Sequence, residues 1–189
     1  MSELHLLSPA TMADIDALPR GIKGEIIDGV LYTQPRPRAR HQNAVGGLYS
    51  DIHQKMQQGR DGPGGWWILT EPGIELPRSP EFSPDIAGWL KERMLRLPTT
   101  GSIVVVPDWI CGVLSPGTRG YDLLTKRAFY ARIGVGWLWY IDLEGRTLTV
   151  SRLHEGHWLE LGIFGPEDTV SAEPFEAVAT AIGAWWPEE

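Results

Sequence analysis

Residues 107–130 of the chain read PDWICGVLSPGTRGYDLLTKRAFY. Within them, the stretch from Trp109 to Leu114 is apolar at odd and even positions alike, which is typical of a strand that is covered on both faces. Pro107 breaks the chain before this strand, and Ser115-Pro116-Gly117-Thr118 predicts a turn after it. The segment therefore predicts a central strand that ends in a polar turn.

A helix is predicted directly after the turn, from about Arg119 to Ile133. Its apolar stripe has helical spacing and consists of Tyr121, Leu124, Ala128 and Ala131. Gly134 is suited to a left-handed cap at the end of this helix. Lys126 therefore lies on a helix that follows the central strand.

The upstream half of the chain predicts a hairpin, a helix and several strands. Asp28-Gly29 predicts the hairpin turn, because short β-prone runs lie on both sides of it. An amphipathic helix is predicted from about His41 to Gln58. Strands at the centre of a sheet are predicted for Trp66–Leu69, Gly73–Leu76 and Asp85–Trp89.

Further strands are predicted downstream of the helix that carries Lys126. They are Trp137–Asp142, Thr147–Val150 and an edge strand at His157–Ile163. Pro174 to Trp186 is predicted to form one short helix. The order of elements predicts an α/β fold, with a central mixed β-sheet flanked by helices and an N-terminal β-hairpin.

Composition limits the class of protein. With 189 residues, 42% of them apolar, the chain suffices for one buried core, and we expect a single domain over residues 1–189. A single cysteine, Cys111, excludes a disulfide framework and fits a reducing cytosol. No apolar stretch could span a membrane and the N-terminus does not resemble a signal peptide, so we expect a cytoplasmic protein. The net charge of −7 argues against broad adhesion to nucleic acid, but it allows a local basic patch.

Several motifs, in this order along the chain, resemble the Uma-type family, which is assigned to the restriction endonucleases of the PD-(D/E)XK nuclease superfamily. The matching residues are Glu25-Ile26-Ile27-Asp28-Gly29, His41-Gln42, Pro84-Asp85, Val113 to Thr118, Asp122 with Lys126, Tyr130-Ala131 and Trp139 to Asp142. The resemblance covers about residues 15–170 and leaves residues 171–189 as a C-terminal extension. It implies a restriction-endonuclease-like fold and a phosphodiester hydrolase that uses Mg²⁺ or Mn²⁺.

The resemblance also implies which residues form the site. Asp85 would be the first metal ligand, and the main-chain carbonyl of Val113 would supply a further oxygen. The family has a glutamate where this chain has Gly112, so one acidic position is vacant. Lys126 replaces the superfamily lysine and would orient or deprotonate the attacking water, or stabilise the charge that develops on the phosphate. Glu25 and the residue His41 would be outer members of the site.

Each of these residues also has an ordinary structural explanation. Asp85 could be a solvated turn acid after Pro84. Lys126 lies four residues after Asp122, so the two could form an ion pair on the helix surface. His41 could contact only backbone or solvent, and Glu25 could simply decorate the hairpin.

Three arginines alternate with other residues on a proline-stiffened segment. Arg36, Arg38 and Arg40 could bind phosphates, or they could form a solvated loop. DNA is the partner that the resemblance implies. Thr147 to Ile163 could form a homodimer surface through its edge strand. No glycine-rich phosphate loop follows a strand in the required arrangement, so we expect no nucleotide cofactor.

The sequence leaves three functions open. The first is an endonuclease whose metal binding is impaired by Gly112. The second is a catalytically inactive member that binds nucleic acid or protein. The third is a different hydrolase that reuses the same pocket.

Overall fold

The computed structural model describes residues 8–186, which form a six-stranded, a four-stranded and a two-stranded β-sheet with helices packed against them. The strands are β1 (Ile22–Ile27), β2 (Val30–Pro35), β3 (Trp66–Thr70), β4 (Ile74–Leu76), β5 (Ser79–Phe82), β6 (Ile86–Leu90), β7 (Trp109–Leu114), β8 (Trp137–Asp142), β9 (Thr147–His154), β10 (His157–Phe164), β11 (Thr169–Val170) and β12 (Thr180–Ala181). The α-helices are α1 (Met12–Asp16), α2 (Ala39–Ile52) and α3 (Arg127–Ile133). π-Helical segments at His53–Gln57 and Tyr121–Lys126 extend α2 and precede α3, and a 3₁₀ turn lies at Gly183–Trp185.

The large sheet has six strands in the order β10-β9-β8-β7-β6-β3. Its β7 and β8 strands are parallel, and all its other neighbouring strands are antiparallel. The sheet is therefore mixed, as the sequence predicts. The predicted strand from Trp109 to Leu114 coincides with β7, which has neighbours on both sides.

The smaller sheet has the order β2-β1-β5-β4 and contains the predicted N-terminal hairpin. Asp28 and Gly29 form the hairpin turn, and their φ angles are 55° and 80°. A turn with two positive φ angles explains why this Asp-Gly pair directs the chain back on itself.

Two apolar clusters cover the two faces of the large sheet, because side chains alternate along its strands. Trp109 and the neighbouring odd-numbered positions of β7 pack in the first cluster with α2 and the C-terminal segment of residues 170–186. Ile110 and Leu114 pack in the second cluster with α3 and the smaller sheet. Gly112 lies between these two residues and so faces the second cluster.

Both long predicted helices are present. The helix predicted from His41 to Gln58 is α2 with its π-helical extension. The helix predicted from Arg119 to Ile133 consists of the π-helical segment Tyr121–Lys126 followed by α3. Gly134 ends it with a φ of 85°, the left-handed cap that the sequence predicts.

Some predictions for the sheets were wrong. Strand β3 lies at an edge of the large sheet rather than at its centre, and β4 belongs to the smaller sheet. Strand β5 was not predicted, because Ser79–Phe82 begins with Ser-Pro and is short. Its pairing with both β1 and β4 stabilises a strand that local propensity does not favour.

The predicted helix at Pro174–Trp186 is also wrong. That segment contains β12, which pairs with β11, and the 3₁₀ turn. Phe175, Val178, Ile182 and Trp185 have helix-like spacing but are buried separately in the first cluster. Each side chain is placed by its contact with the sheet, so the spacing does not reflect a helix.

Within residues 8–186, no helix is long and apolar enough to cross a membrane. The prediction that the N-terminus is not a signal peptide concerns residues 1–7 in part, and those lie outside the described residues.

The ring of Phe175 anchors the C-terminal segment to the large sheet. The side chain is 1% exposed, and its ring centroid lies 4.9 Å from that of Trp109 and 5.6 Å from that of Trp139. We predict that Phe175→Ala lowers the free energy of unfolding by about 3–5 kcal/mol, through lost burial and an unfilled cavity. Urea unfolding followed by tryptophan fluorescence measures this loss, and the exposed neighbour Glu176 supplies the control, Glu176→Ala. Equal stability of the two variants would show that the segment does not complete the core.

Candidate active site

A cavity of about 500 Å³ opens beside the start of β6 and the end of β7. Residues from five parts of the chain line it. They are Lys23, Gln34 to His41, Asp85, Val113, Ser115 to Thr118, Asp122, Lys126, Leu143 and Glu144. The cavity thus collects most of the residues that the sequence identifies as candidates, although these are far apart in the chain.

Asp85 lies at the beginning of β6 and is held by two hydrogen bonds. Its Oδ2 accepts the main-chain N–H of Val113 at 2.7 Å, and its Oδ1 lies 3.0 Å from Nε2 of His41. Burial raises the pKa of this carboxyl, but the hydrogen bond and charge of His41, the charge of Lys126 and the Val113 N–H together lower it below its usual value. Asp85 is therefore an ionised, fixed carboxylate rather than a freely solvated turn acid.

His41 lies in the first turn of α2 and reaches across to Asp85. Burial lowers the pKa of its imidazole, but the hydrogen bond and the negative charge of Asp85 outweigh burial and raise the pKa above 6.5. His41 contacts a candidate catalytic carboxylate and is not restricted to backbone or solvent.

Glu25 is a buried carboxylate at the inner end of the hairpin, with 1% of the residue exposed. Its Oε2 forms an ion pair with Nζ of Lys126 at 2.8 Å. Its Oε1 accepts the main-chain N–H of Ser83 at 2.8 Å, and Gln34 and Tyr121 donate weaker hydrogen bonds at 3.3 Å. Glu25 therefore joins the smaller sheet and the connection between β5 and β6 to the helical segment that carries Lys126.

Lys126 is buried and bears its charge inside the protein. Its closest anion is Glu25, and Asp122 lies farther away, with 3.9 Å between Nζ and Oδ1. The alternative of a surface ion pair with Asp122 is therefore wrong. Burial lowers the pKa of Lys126, but the charges of Glu25 and Asp122 outweigh burial and raise it well above its usual value. Lys126 stays protonated at neutral pH, so it can stabilise negative charge but does not serve as a base.

Asp122 is the third ionisable group on this wall of the cavity. Burial raises its pKa from 3.8 to about 6, and the charge of Lys126 only partly offsets burial. Since its pKa is higher in the folded chain than in the unfolded one, ionisation of Asp122 removes stability as the pH rises from 3.8 to about 6. Asp122 is thus a carboxylate without a close, dedicated cation.

Gly112 is a residue of β7 and lies opposite Asp85. The two are neighbours because Ile86, which follows Asp85, pairs with Cys111, which precedes Gly112. Tyr140 is its register partner on the parallel strand β8. A Cβ atom placed on Gly112 would meet Cε1 of the Tyr140 ring at 2.8 Å. Asp85 and Lys126 therefore line the cavity, whereas Gly112 lies beside it against a tyrosine ring.

The residues present do not make a complete site for a divalent cation. Within residues 8–186, no group of three His, Cys, Asp or Glu side chains is arranged to hold a metal ion. Three carboxylates, Asp85, Asp122 and Glu144, line the cavity, but they are not grouped closely enough to hold a metal ion, and His41 and Val113 each contact one oxygen of Asp85. A metal ligand role for the Val113 carbonyl stays a prediction.

The arginine segment forms the outer wall of the same cavity. Arg36, Arg38 and Arg40 all line it, together with Lys23. The side chains of all three arginines are exposed at the surface. A phosphate-binding role for them stays a prediction, but the structure places them beside Asp85 rather than on a remote loop.

Sequence reasoning missed two features of this site. It did not identify Tyr140, because only the register of β7 against β8 shows that its ring faces Gly112. It treated Asp122 only as a partner of Lys126. The spacing of four residues on one helix does place both side chains on the cavity wall, so this signal was available in the sequence.

We predict that Glu25→Gln lowers the free energy of unfolding by about 3–5 kcal/mol, because it leaves the buried Lys126 without its close anion. Asp28→Asn is the matched control, since it breaks an exposed ion pair with Arg132 that is worth at most about 1 kcal/mol. Urea unfolding measures both. Adding Lys126→Met to Glu25→Gln should recover stability, and a further loss would contradict the pairing.

We predict that the pKa of His41 lies above 6.5 and falls below 6.5 in Asp85→Asn, since burial then dominates. NMR titration of the imidazole protons measures this pKa, and Asp61→Asn, beyond the far end of α2, is the control.

Both partners make the stability of the fold depend on pH. The stability that protonated His41 contributes is complete below pH 6.5 and is lost as the pH rises through the pKa of the folded imidazole. The stability that ionised Asp85 contributes is lost as the pH falls below 3.8. An unchanged His41 pKa in Asp85→Asn would show that the two side chains do not interact in solution.

Comparison with known proteins gives a family and a fold. A family model described as "Uma2: Putative restriction endonuclease" matches residues 12–182. The structure is similar to the crystal structure of a "putative nuclease belonging to DUF820" from Anabaena variabilis, with a TM-score of 0.72 and 20% sequence identity over 94% of this chain and 98% of that one. A search of curated proteins found no match. The chain therefore belongs to the Uma2 family and has a restriction-endonuclease-like fold.

Proposed function

We propose that the chain is an endonuclease that acts on phosphodiester bonds of nucleic acid in this cavity, with activity strongly impaired by the missing carboxylate at Gly112. The observation that carries the proposal is the convergence of Asp85, Lys126 and the arginine segment on one cavity. Membership of the Uma2 family supports a nucleic-acid substrate. A nuclease needs a phosphate-binding wall beside its reacting groups, and the exposed arginines beside Asp85 and Lys126 would supply one.

The arginine segment would position the substrate. Arg36 and Arg38 are exposed and lie at the mouth of the cavity, so their guanidinium groups could each bind a phosphate in a bidentate way. The net charge of the chain is −7, so attraction of DNA depends on this local cluster rather than on the whole surface. DNA binding should therefore be weak overall and sensitive to salt.

The inner groups would act on the scissile phosphate. Lys126 carries a permanent positive charge fixed by Glu25, so it can stabilise negative charge that develops on a phosphate oxygen. Asp85 is ionised and held in place, and Asp122 exchanges a proton near pH 6, which suits it to proton transfer. Mg²⁺ or Mn²⁺ is the cofactor that the family implies, but the donor set is incomplete and we derive no step through it. Loss of one fixed charge at a reacting centre typically lowers the rate by about 10²–10³.

A second candidate is a nuclease-fold protein that binds nucleic acid without cutting it. The observation that favours it is the ring of Tyr140, which takes the space next to Gly112. His41 also contacts Oδ1 of Asp85 and would compete with a metal ion for this oxygen. The two candidates share the same binding surface and differ only in hydrolysis.

Two further properties stay predictions. Homodimerisation would use β10, an edge strand of the large sheet whose Leu159 and Ile163 side chains are exposed. A location in the cytosol agrees with the buried, unpaired Cys111.

A combined cleavage and binding experiment tests the proposal. Supercoiled plasmid is incubated with the protein and Mg²⁺ or Mn²⁺, and binding to a labelled DNA duplex is measured in parallel by anisotropy in EDTA. We expect slow, metal-dependent nicking that Asp85→Asn abolishes while binding stays. Arg36→Ala with Arg38→Ala should weaken binding and lower the slope of log K against log salt by about two, because two phosphate contacts are lost.

The matched controls are Asp61→Asn for cleavage and Arg60→Ala for binding, both at the opposite end of α2. Binding without nicking would support the second candidate. Nicking that survives Asp85→Asn would indicate a contaminating nuclease. A protein that neither binds nor cuts nucleic acid would contradict both candidates.

A further inference from the structure

The vacant acidic position is not an open space. Gly112 on β7 pairs with Tyr140 on β8, and Asp85 lies on the other side of Gly112, directly before β6, because the next residues along these strands, Ile86 and Cys111, are paired. A Cβ atom on Gly112 would lie 2.8 Å from Cε1 and 3.1 Å from Cδ1 of the Tyr140 ring. Non-bonded carbon atoms normally approach no closer than about 3.5 Å. Any side chain at position 112 therefore requires the ring to move.

The tyrosine ring is fixed in this position. Tyr140 is 6% exposed and belongs to the second apolar cluster. Its hydroxyl donates a 2.8 Å hydrogen bond to the main-chain carbonyl of Asp122. This carbonyl belongs to the π-helical segment Tyr121–Lys126, so Tyr140 also holds the segment that presents Asp122 and Lys126 to the cavity. Moving the ring away from Gly112 would break both the packing and this hydrogen bond.

The charges around the cavity agree with a site that lacks a further carboxylate. Glu25 is paired with Lys126 at 2.8 Å, and Asp85 with His41 at 3.0 Å. Glu25 is thus paired with a cation, and Asp85 is paired with one when His41 is protonated. A glutamate at position 112 would add a negative charge beside Asp85 and Asp122, which a divalent cation would have to balance.

We infer that Tyr140 is the residue that closes this site to a carboxylate, and that it acts as a positioning residue for the Asp122–Lys126 segment in a nuclease fold without a resident divalent metal. The Tyr140 ring fills the space that a carboxylate at position 112 would need, and this accounts for the missing metal donor. Gly112 and Tyr140 form a coupled pair, and restoring the acid at position 112 requires removal of the ring at position 140. The inference concerns the site used by the proposed function, but it does not require that the chain cut nucleic acid.

A set of four variants tests the coupling. They are Gly112→Glu, Tyr140→Val, the double variant, and a matched control with Gly112→Gln and Tyr140→Val, in which the added side chain has the same size but no charge. Thermal unfolding in EDTA measures packing, and calorimetric titration with Mn²⁺ measures metal binding.

We expect Gly112→Glu to lower the unfolding midpoint by about 5 °C or more, since overpacking strains a full core. It should bind Mn²⁺ no better than the starting protein. Adding Tyr140→Val should raise the midpoint above that of Gly112→Glu and should tighten Mn²⁺ binding at least about tenfold, because a second carboxylate then lies beside Asp85. The control with Gly112→Gln and Tyr140→Val should also be more stable than Gly112→Glu, but it should bind Mn²⁺ no more tightly than the starting protein.

Two results would overturn the inference. One is a Gly112→Glu protein that is as stable as the starting protein and gains Mn²⁺ affinity without any change at Tyr140. The other is a double variant no more stable than Gly112→Glu, which would show that the ring is not the obstacle. Nuclease activity is not used as a readout, so failure of the proposed function would not be mistaken for failure of this inference.

Discussion

The buried ion pair between Glu25 and Lys126 is the interaction on which the arrangement of the site depends. Two opposite charges inside a protein are stable only when close contact and further hydrogen bonds compensate for their lost hydration. Ser83, Gln34 and Tyr121 supply those hydrogen bonds from the chain before β6, from β2 and from the helical segment. The pair therefore requires the smaller sheet, the start of β6 and the π-helical segment to meet at one point. The cavity lies at that meeting point.

The ion pair also takes part in balancing the charges of the site. Glu25 neutralises Lys126, and His41, when protonated, neutralises Asp85. Asp122 carries a further negative charge when it is ionised, and burial raises its pKa to about 6, so this charge is held at a cost. A nuclease site built around a metal would leave its carboxylates to repel one another until the metal binds. Here, Lys126, together with His41 when it is protonated, offsets part of that repulsion, which agrees with the inferred lack of a resident metal.

Much of the fold follows from local sequence signals. Trp109–Leu114 is apolar on both faces, which predicts a covered interior strand, and Gly134 and Asp28-Gly29 mark the end of a helix and a hairpin turn through their positive φ angles. The C-terminal segment could not be predicted, because each of its apolar side chains is held by a separate contact with the sheet. For the site, ordered motifs identified Asp85 and Lys126, but not the burial of Glu25 or the contact of Tyr140 with Gly112. Both depend on strand register and on packing between distant segments, which no local pattern encodes.

The position of the C-terminal segment has a consequence for biosynthesis. Phe175 and Trp185 cover the face of the large sheet that contains Trp109 and Trp139, yet they are synthesised after every strand of that sheet. Until they emerge, the nascent polypeptide exposes a broad aromatic surface although all ten strands of the two larger sheets have already been made. Chains with uncovered apolar surface associate readily. Translation that stalls before this segment should therefore yield a species that depends on chaperones, whereas synthesis of the segment allows the surface to be covered.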